Sequence, residues 1–251
     1  MTDIAVFRFA PAWEQIRNIF PLPSRHAHGN LWPMCNLYNI TTTQQAVIEW
    51  TRAMRDLAGN LEPSIQVYPS YKAPVVRNAT DGERELAMLT WGMPTPPMYV
   101  KGADRGVTNI RNVSSAHWRR WLGVESRCIV PATSFAEPNP ANRKDGRTPN
   151  AWFALNENHP LFFFAGIWTP WRGVKKVKDG EQDFELFGFL TTEPNAVVKP
   201  VHQKAMPVIL TERKEIEVWL TAPWEKAKAL QRPSPDDQLV IVDKPEQLAP
   251  E

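Results

Sequence analysis

The chain is 251 residues long with a net charge of +2, enough for one large domain and too balanced for a global field that demands a polyanionic partner. Hydrophobic residues make up 43% of it, with 11 Trp, 11 Phe and 24 Pro, a globular composition in which so many prolines argue for short elements and against an all-helical bundle. Two cysteines without CxxC spacing make neither a disulfide framework nor a zinc site, and the longest apolar run, Leu161 to Trp168, falls short of the roughly 20 residues that span a bilayer. A cytoplasmic monomer is expected, with no export signal, no membrane association, and no metal or organic cofactor.

Residues 1–33 carry Pro11, Pro21, Pro23 and Pro33 and no sustained hydrophobic period, so they read as a leader, or as an extension that a misassigned start has added. His26 and His28 lack a third ligand and read as polar loop. From Thr41 the pattern is helical, with Thr42 as cap, Val47, Trp50, Met54 and Leu57 on one face, and Gly59 as the stop. Strand-like runs follow at Ile65 to Val76, Glu85 to Trp91, Cys128 to Phe135, Ala151 to Leu155, Leu161 to Trp168, Phe184 to Thr191, Met206 to Leu210 and Leu239 to Val242. Short helices are expected at Ser114 to Leu122, Thr211 to Leu220 and Trp224 to Leu230.

Strands outnumber helices and come without βαβ alternation, which predicts an α+β fold: a mixed, largely antiparallel, barrel-like sheet with peripheral helices. The expected organisation is a leader over 1–33, a single domain over 34–230, and a C-terminal strand and tail over 231–251.

Met34-Cys35-Asn36-Leu37-Tyr38 stands where the irregular extension ends. If translation starts at Met34, or if the extension is removed, Cys35 carries a free α-amine beside its thiol. The amine can form a Schiff base with an aldehyde, and the thiol can then close a five-membered thiazolidine ring. Read locally, Cys35 is instead a small buried residue near a strand start, Glu137 before Pro138 an exposed loop carboxylate, Asn109 a turn former, and His202 a hydrogen-bonded histidine near a strand end. Cys128, among apolar neighbours, reads as core.

Five separated segments run in a fixed order: Met34-Cys35 with Tyr38, Trp91-Gly92, Asn109-Ile110-Arg111, Arg127-Cys128-Ile129-Val130-Pro131 through Phe135-Ala136-Glu137, and His202 to Leu210. Together they resemble the motifs of the SOS response-associated peptidase (SRAP) family, also called abasic-site processing proteins. The resemblance implies an SRAP-like domain that cross-links abasic sites in single-stranded DNA, with Cys35 as nucleophile and Asn109 holding the amine or the opened sugar. Glu137 and His202 would move protons, and Arg111 and Lys204 would contact DNA. Departures are Asn36-Leu37 in place of the family's Gly-Arg, an extra residue in His202-Gln203-Lys204-Ala205-Met206-Pro207, Pro138 where an aromatic often follows the glutamate, and the extension itself. Two alternatives are a thiol peptidase using Cys35, His202 and Glu137, and a non-covalent single-strand binder.

Overall fold

A computed structural model describes residues 35–61 and 65–245; the extension, with His26 and His28, lies outside the described residues. Strands β4 (Lys72–Asn78), β5 (Arg84–Trp91), β7 (Arg127–Ala132), β10 (Phe162–Gly173) and β11 (Gln182–Thr192) are neighbours in the order β11-β10-β7-β4-β5. The parallel pairing of Leu186 with Thr90 and Phe187 with Trp91 joins β11 back to β5 and closes the ring. The other four joints are antiparallel. A second sheet, in the order β14-β9-β8-β1-β3, is built from β1 (Leu37–Ile40), β3 (Ile65–Val67), β8 (Ser134–Pro138), β9 (Asn150–Ala154) and β14 (Val240–Val242).

Alternation along these strands sends side chains to two cores. Val75, Leu89, Val130, Phe164 and Phe189 from the ring pack with Tyr38, Val67, Phe135 and Phe153 from the second sheet. Val76, Leu86, Ile129, Ala165 and Leu190, one residue out of phase, meet the helices instead. Chief among the helices is α3 (Arg213–Thr221), which opens with a reciprocal capping box between Glu212 and Glu215. Its Trp219 is fully buried and donates Nε1–H to the carbonyls of Cys128 at 2.8 Å and Gly166 at 3.2 Å, which seats the helix across β7 and β10. The other α-helices among the described residues are α1 (Gln44–Thr51), α2 (Ala116–Arg119) and α4 (Trp224–Ala227).

The α+β class and barrel-like sheet are as the pattern predicts, and the differences have local causes. Helix α1 is capped by Thr43, not Thr42, and ends at Arg52, which takes the left-handed conformation at φ 55° well before Gly59. Beyond it the Met54 and Leu57 N–H groups donate to Arg84 and Leu86, so β2 (Arg55–Asp56) adds to β5 and leaves Met54 and Leu57 exposed. Sheet pairing here overrides helical periodicity.

Three expected runs are each two strands. Ile65 to Val76 is cut by a turn in which Ser70 sits at φ 69°. Cys128 to Phe135 changes sheets at Thr133, whose N–H and hydroxyl both donate to the Asn39 carbonyl. Met206 to Leu210 passes from β11 to β10 at Val208, which bonds Leu190 on one side and Ala165 on the other, leaving β12 (Met206–Pro207) and β13 (Ile209–Leu210). β1 and β6 (Asn109–Ile110), which carry site residues, are strands the periodicity does not announce.

Candidate active site

Antiparallel pairing of Leu37 with Ala136 and Tyr38 with Phe135 carries Glu137 on β8 to the level of the residues that lead into β1. There the Cys35 N–H donates to Glu137 Oε1 at 3.0 Å. On the other side β6 lies parallel to β11, with Asn109 opposite Phe189, and Asn109 Nδ2 donates to the Cys35 carbonyl at 3.2 Å. The same amide nitrogen donates to Thr108 Oγ1 at 2.9 Å, while Trp91 Nε1 donates to the Thr108 carbonyl at 3.2 Å. The backbone of Cys35 is thus gripped at its nitrogen by a carboxyl and at its oxygen by an amide, each on a different strand.

The grip is dry. Cys35 is fully buried and Glu137 is 1% exposed. Burial pushes the Glu137 carboxyl up to about 8, only partly offset by the Cys35 N–H, so the neutral acid predominates at neutral pH. Its Oε2 is buried with no hydrogen-bond partner among the described residues. The Cys35 thiol is pushed well above the usual range, first by burial and then by Glu137, and points to the Leu37 carbonyl at 3.7 Å. A resting thiolate is disfavoured in this environment.

The carboxyl makes a stability prediction. Its value in the fold, about 8, stands above the ordinary 4.5, so between these limits the folded state holds more protons than the unfolded chain and stability falls as pH rises. Ionising Glu137 in place costs on the order of 5 kcal/mol relative to an exposed glutamate. Glu137→Gln has no such cost, so urea unfolding should find the variant gaining on wild type from pH 5 to pH 9. Parallel stability curves would contradict the assigned burial effect.

Of the residues expected from motifs, Cys35, Asn109 and Glu137 are brought together. Glu137 and Asn109 are both corrections to their local readings: the first is a buried strand residue, the second part of β6. The local expectation for Cys35, a buried residue at a strand start, also holds, and Cys128 is fully buried core.

His202 is 7% exposed, and its Nδ1 lies 2.9 Å from the Ala205 carbonyl and 3.2 Å from the Ala205 nitrogen, just ahead of β12. It precedes β12, which pairs with the end of β11 beyond Asn109's partner, and no hydrogen bond joins it to Cys35 or Glu137 among the described residues, so the structure does not bring it into the grip. Arg111, beyond β6, is half-exposed and paired with Glu193 at 3.3 Å, and Lys204 is exposed. Thr108 and Tyr38 were not anticipated as site residues. The first positions Asn109, and the second packs its ring against Trp91, Phe164 and Phe189 and carries a buried hydroxyl with no partner among the described residues. Among the described residues no group of three or more His, Cys, Asp or Glu could hold a metal ion.

Similar architecture occurs in solved structures. A protein from Bacteroides thetaiotaomicron matches with a TM-score of 0.64 at 20% identity, covering 82% of this chain and 90% of that one. A protein from Bordetella bronchiseptica matches at 0.63 and 23% identity, covering 82% and 98%, and a phage-related protein from the same organism at 0.62 and 16%, covering 84% and 95%. At these identities the likeness speaks for the fold. None of the curated proteins matches the chain. The family model described as SOS response associated peptidase (SRAP) matches residues 34–245, which include the Cys35, Asn109 and Glu137 grip and His202. The chain belongs to the SOS response associated peptidase family.

Proposed function

We propose that this protein captures abasic sites in single-stranded DNA through Cys35, acting as an N-terminal residue. The observation that carries the proposal is the double grip on the Cys35 backbone, a buried neutral carboxyl on its nitrogen and the Asn109 amide on its oxygen. A thiol nucleophile alone has no use for a carboxyl that accepts from its backbone nitrogen. A nitrogen that must become an amine, attack a carbonyl and lose water has one.

The chemistry requires Cys35 to be the first residue, either by starting at Met34 and losing that methionine or by hydrolysis of the Met34–Cys35 bond. In the second case Glu137 would supply the proton that the leaving amine needs, which fits the family's peptidase description. The freed amine has an ordinary pKa of about 8, close to the Glu137 value of about 8. Across 3.0 Å the two groups would share one proton, since an ammonium there would draw the carboxyl back down. Amine attack on the open-chain aldehyde gives an imine and one water, with Glu137 protonating the departing oxygen. The thiol then adds across the C=N bond, forming C–S while its proton passes to nitrogen, and the thiazolidine closes. His202 would protonate the ring oxygen of the closed sugar so that an aldehyde forms, and Arg111 and Lys204 would hold flanking phosphates.

The thiol-peptidase alternative needs an imidazole on the thiol, whereas the Cys35 thiol faces a carbonyl and the His202 Nδ1 faces the Ala205 backbone. The test is a denaturing gel with an abasic single-stranded oligonucleotide after a high-salt wash. A band of protein bound to DNA is the expected outcome. Its absence, with turnover of a peptide or ester, would favour the hydrolase, and complexes that dissolve in salt would favour a non-covalent binder.

A further inference from the structure

We infer that the Tyr68–Tyr71 turn is the platform on which the nucleobase beside the abasic sugar stacks. The inference rests on the proposed abasic-site chemistry at Cys35. β3 is the antiparallel neighbour of β1, with Tyr38 opposite Val67, so the strand that runs back to Cys35 leads out alongside the chain that runs forward to Ser70. The turn is therefore at the Cys35 end of the second sheet.

It is also held to the strand that carries Trp91. Ser70 N–H donates to the Trp91 carbonyl at 2.8 Å, Trp91 N–H donates to the Tyr71 carbonyl at 2.9 Å, and Tyr71 N–H closes the turn on the Tyr68 carbonyl at 3.0 Å. Trp91 in turn holds Thr108, the support of Asn109. The platform and the grip on Cys35 thus share one chain of hydrogen bonds.

On this turn the two tyrosines are open to solvent, Tyr68 40% and Tyr71 56% exposed. Their rings touch at 5.6 Å between centroids with a 60° tilt, and the Tyr68 hydroxyl is tied to Gln66 Oε1 at 3.2 Å. Large exposed aromatic faces are what sequence-tolerant base stacking uses. Lys72 follows immediately, exposed, and lines a groove of about 790 Å³ together with Trp171, Phe184, Glu185 and the Arg172–Asp183 ion pair. A cation beside an aromatic pair suits a base followed by its phosphate.

A base next to an abasic sugar has lost a stacking neighbour and offers a bare π-face, so a platform here recognises the lesion's surroundings and not base identity. Stacking of this kind is worth roughly 5- to 100-fold in affinity per base.

The test measures fluorescence anisotropy of the chain as expressed with single-stranded oligonucleotides containing an unreactive tetrahydrofuran site, in parallel with adduct yield on the authentic abasic site. Tyr71→Ala and the Tyr68→Ala/Tyr71→Ala double variant should weaken binding within that 5- to 100-fold range. Tyr71→Phe should bind as wild type. When the bases on both sides of the site are also replaced by tetrahydrofuran, wild type and alanine variants should bind equally, a convergence that mere structural damage would not produce. Alanine variants that match wild type on the ordinary oligonucleotide, or that lose equally on the base-free one, would overturn the platform. Absence of an adduct from wild type, with the anisotropy pattern intact, would sink the Cys35 chemistry and leave the platform standing.

Discussion

Cys35→Ala is expected to reduce the denaturation-resistant adduct with abasic single-stranded DNA to background. Alanine keeps a terminal amine in the same grip but has no sulfur to close the ring, and an imine left open returns to aldehyde and amine in water. Borohydride added during the reaction should therefore rescue a band for Cys35→Ala, because reduction fixes the C–N bond. Two atoms of one residue then have separable signatures: nitrogen makes the bond that borohydride traps, and sulfur makes the adduct that survives without it. Cys35 is fully buried beside Tyr38 in the core between the two sheets, so the variant loses a little packing, and thermal unfolding should confirm that it folds. An adduct of undiminished yield from Cys35→Ala without reductant would exclude the thiazolidine.

Glu137→Gln should slow adduct formation by roughly 10²- to 10⁴-fold, the span usual for a positioned general acid or base. Glutamine preserves size and can still accept the hydrogen bond that Oε1 takes from the Cys35 nitrogen, so the loss reports proton transfer and not a misplaced backbone. The pH profile carries the sign. Below the lower apparent pKa of the pair both groups hold protons and the ammonium cannot attack; above the upper one both are bare and no acid remains. Wild type should therefore show a bell. The glutamine variant should keep the acidic limb, where the amine is freed, and lose the alkaline fall, which belongs to the carboxyl. Its intact mass must show Cys35 as the first residue, because the same carboxyl could also serve release of the leader. An unchanged rate with that mass would remove Glu137 from the mechanism.

The site was legible as a set of motifs and illegible as a set of environments. Cys35, Asn109 and Glu137 could be singled out because their neighbours run in a recognisable order, yet local composition made Glu137 an exposed loop residue. The cause is long-range: β8 pairs with β1 and β9, so Pro138 follows a carboxylate sandwiched between strands, and the turn signal at Pro138-Asn139-Pro140 begins only after it. Asn109 likewise reads as a turn former because its two-residue strand is too short to show a period, and exists through its parallel pairing with β11.

Hydrophobic runs were found where expected, but not their breaks. Thr133 and Val208 each switch the chain from one partner strand to another without a Gly or a charge to announce it. Helix α1 stops early because Arg55 and Asp56 pair with Glu85 and Leu86, a contact that no window of local sequence contains. The Tyr68–Tyr71 pair was hidden for the same reason, since the run Ile65 to Val76 looks like one strand until Ser70 turns it back on Trp91.

The most direct test is the intact mass of the protein–DNA adduct formed by protein expressed from its own gene. The predicted mass is that of a polypeptide beginning at Cys35 plus the abasic oligonucleotide less one water, since imine formation releases one and ring closure none. An adduct whose polypeptide still carries Met34 or anything before it would mean that the bond to DNA forms without a free Cys35 amine, and would contradict the account at its centre.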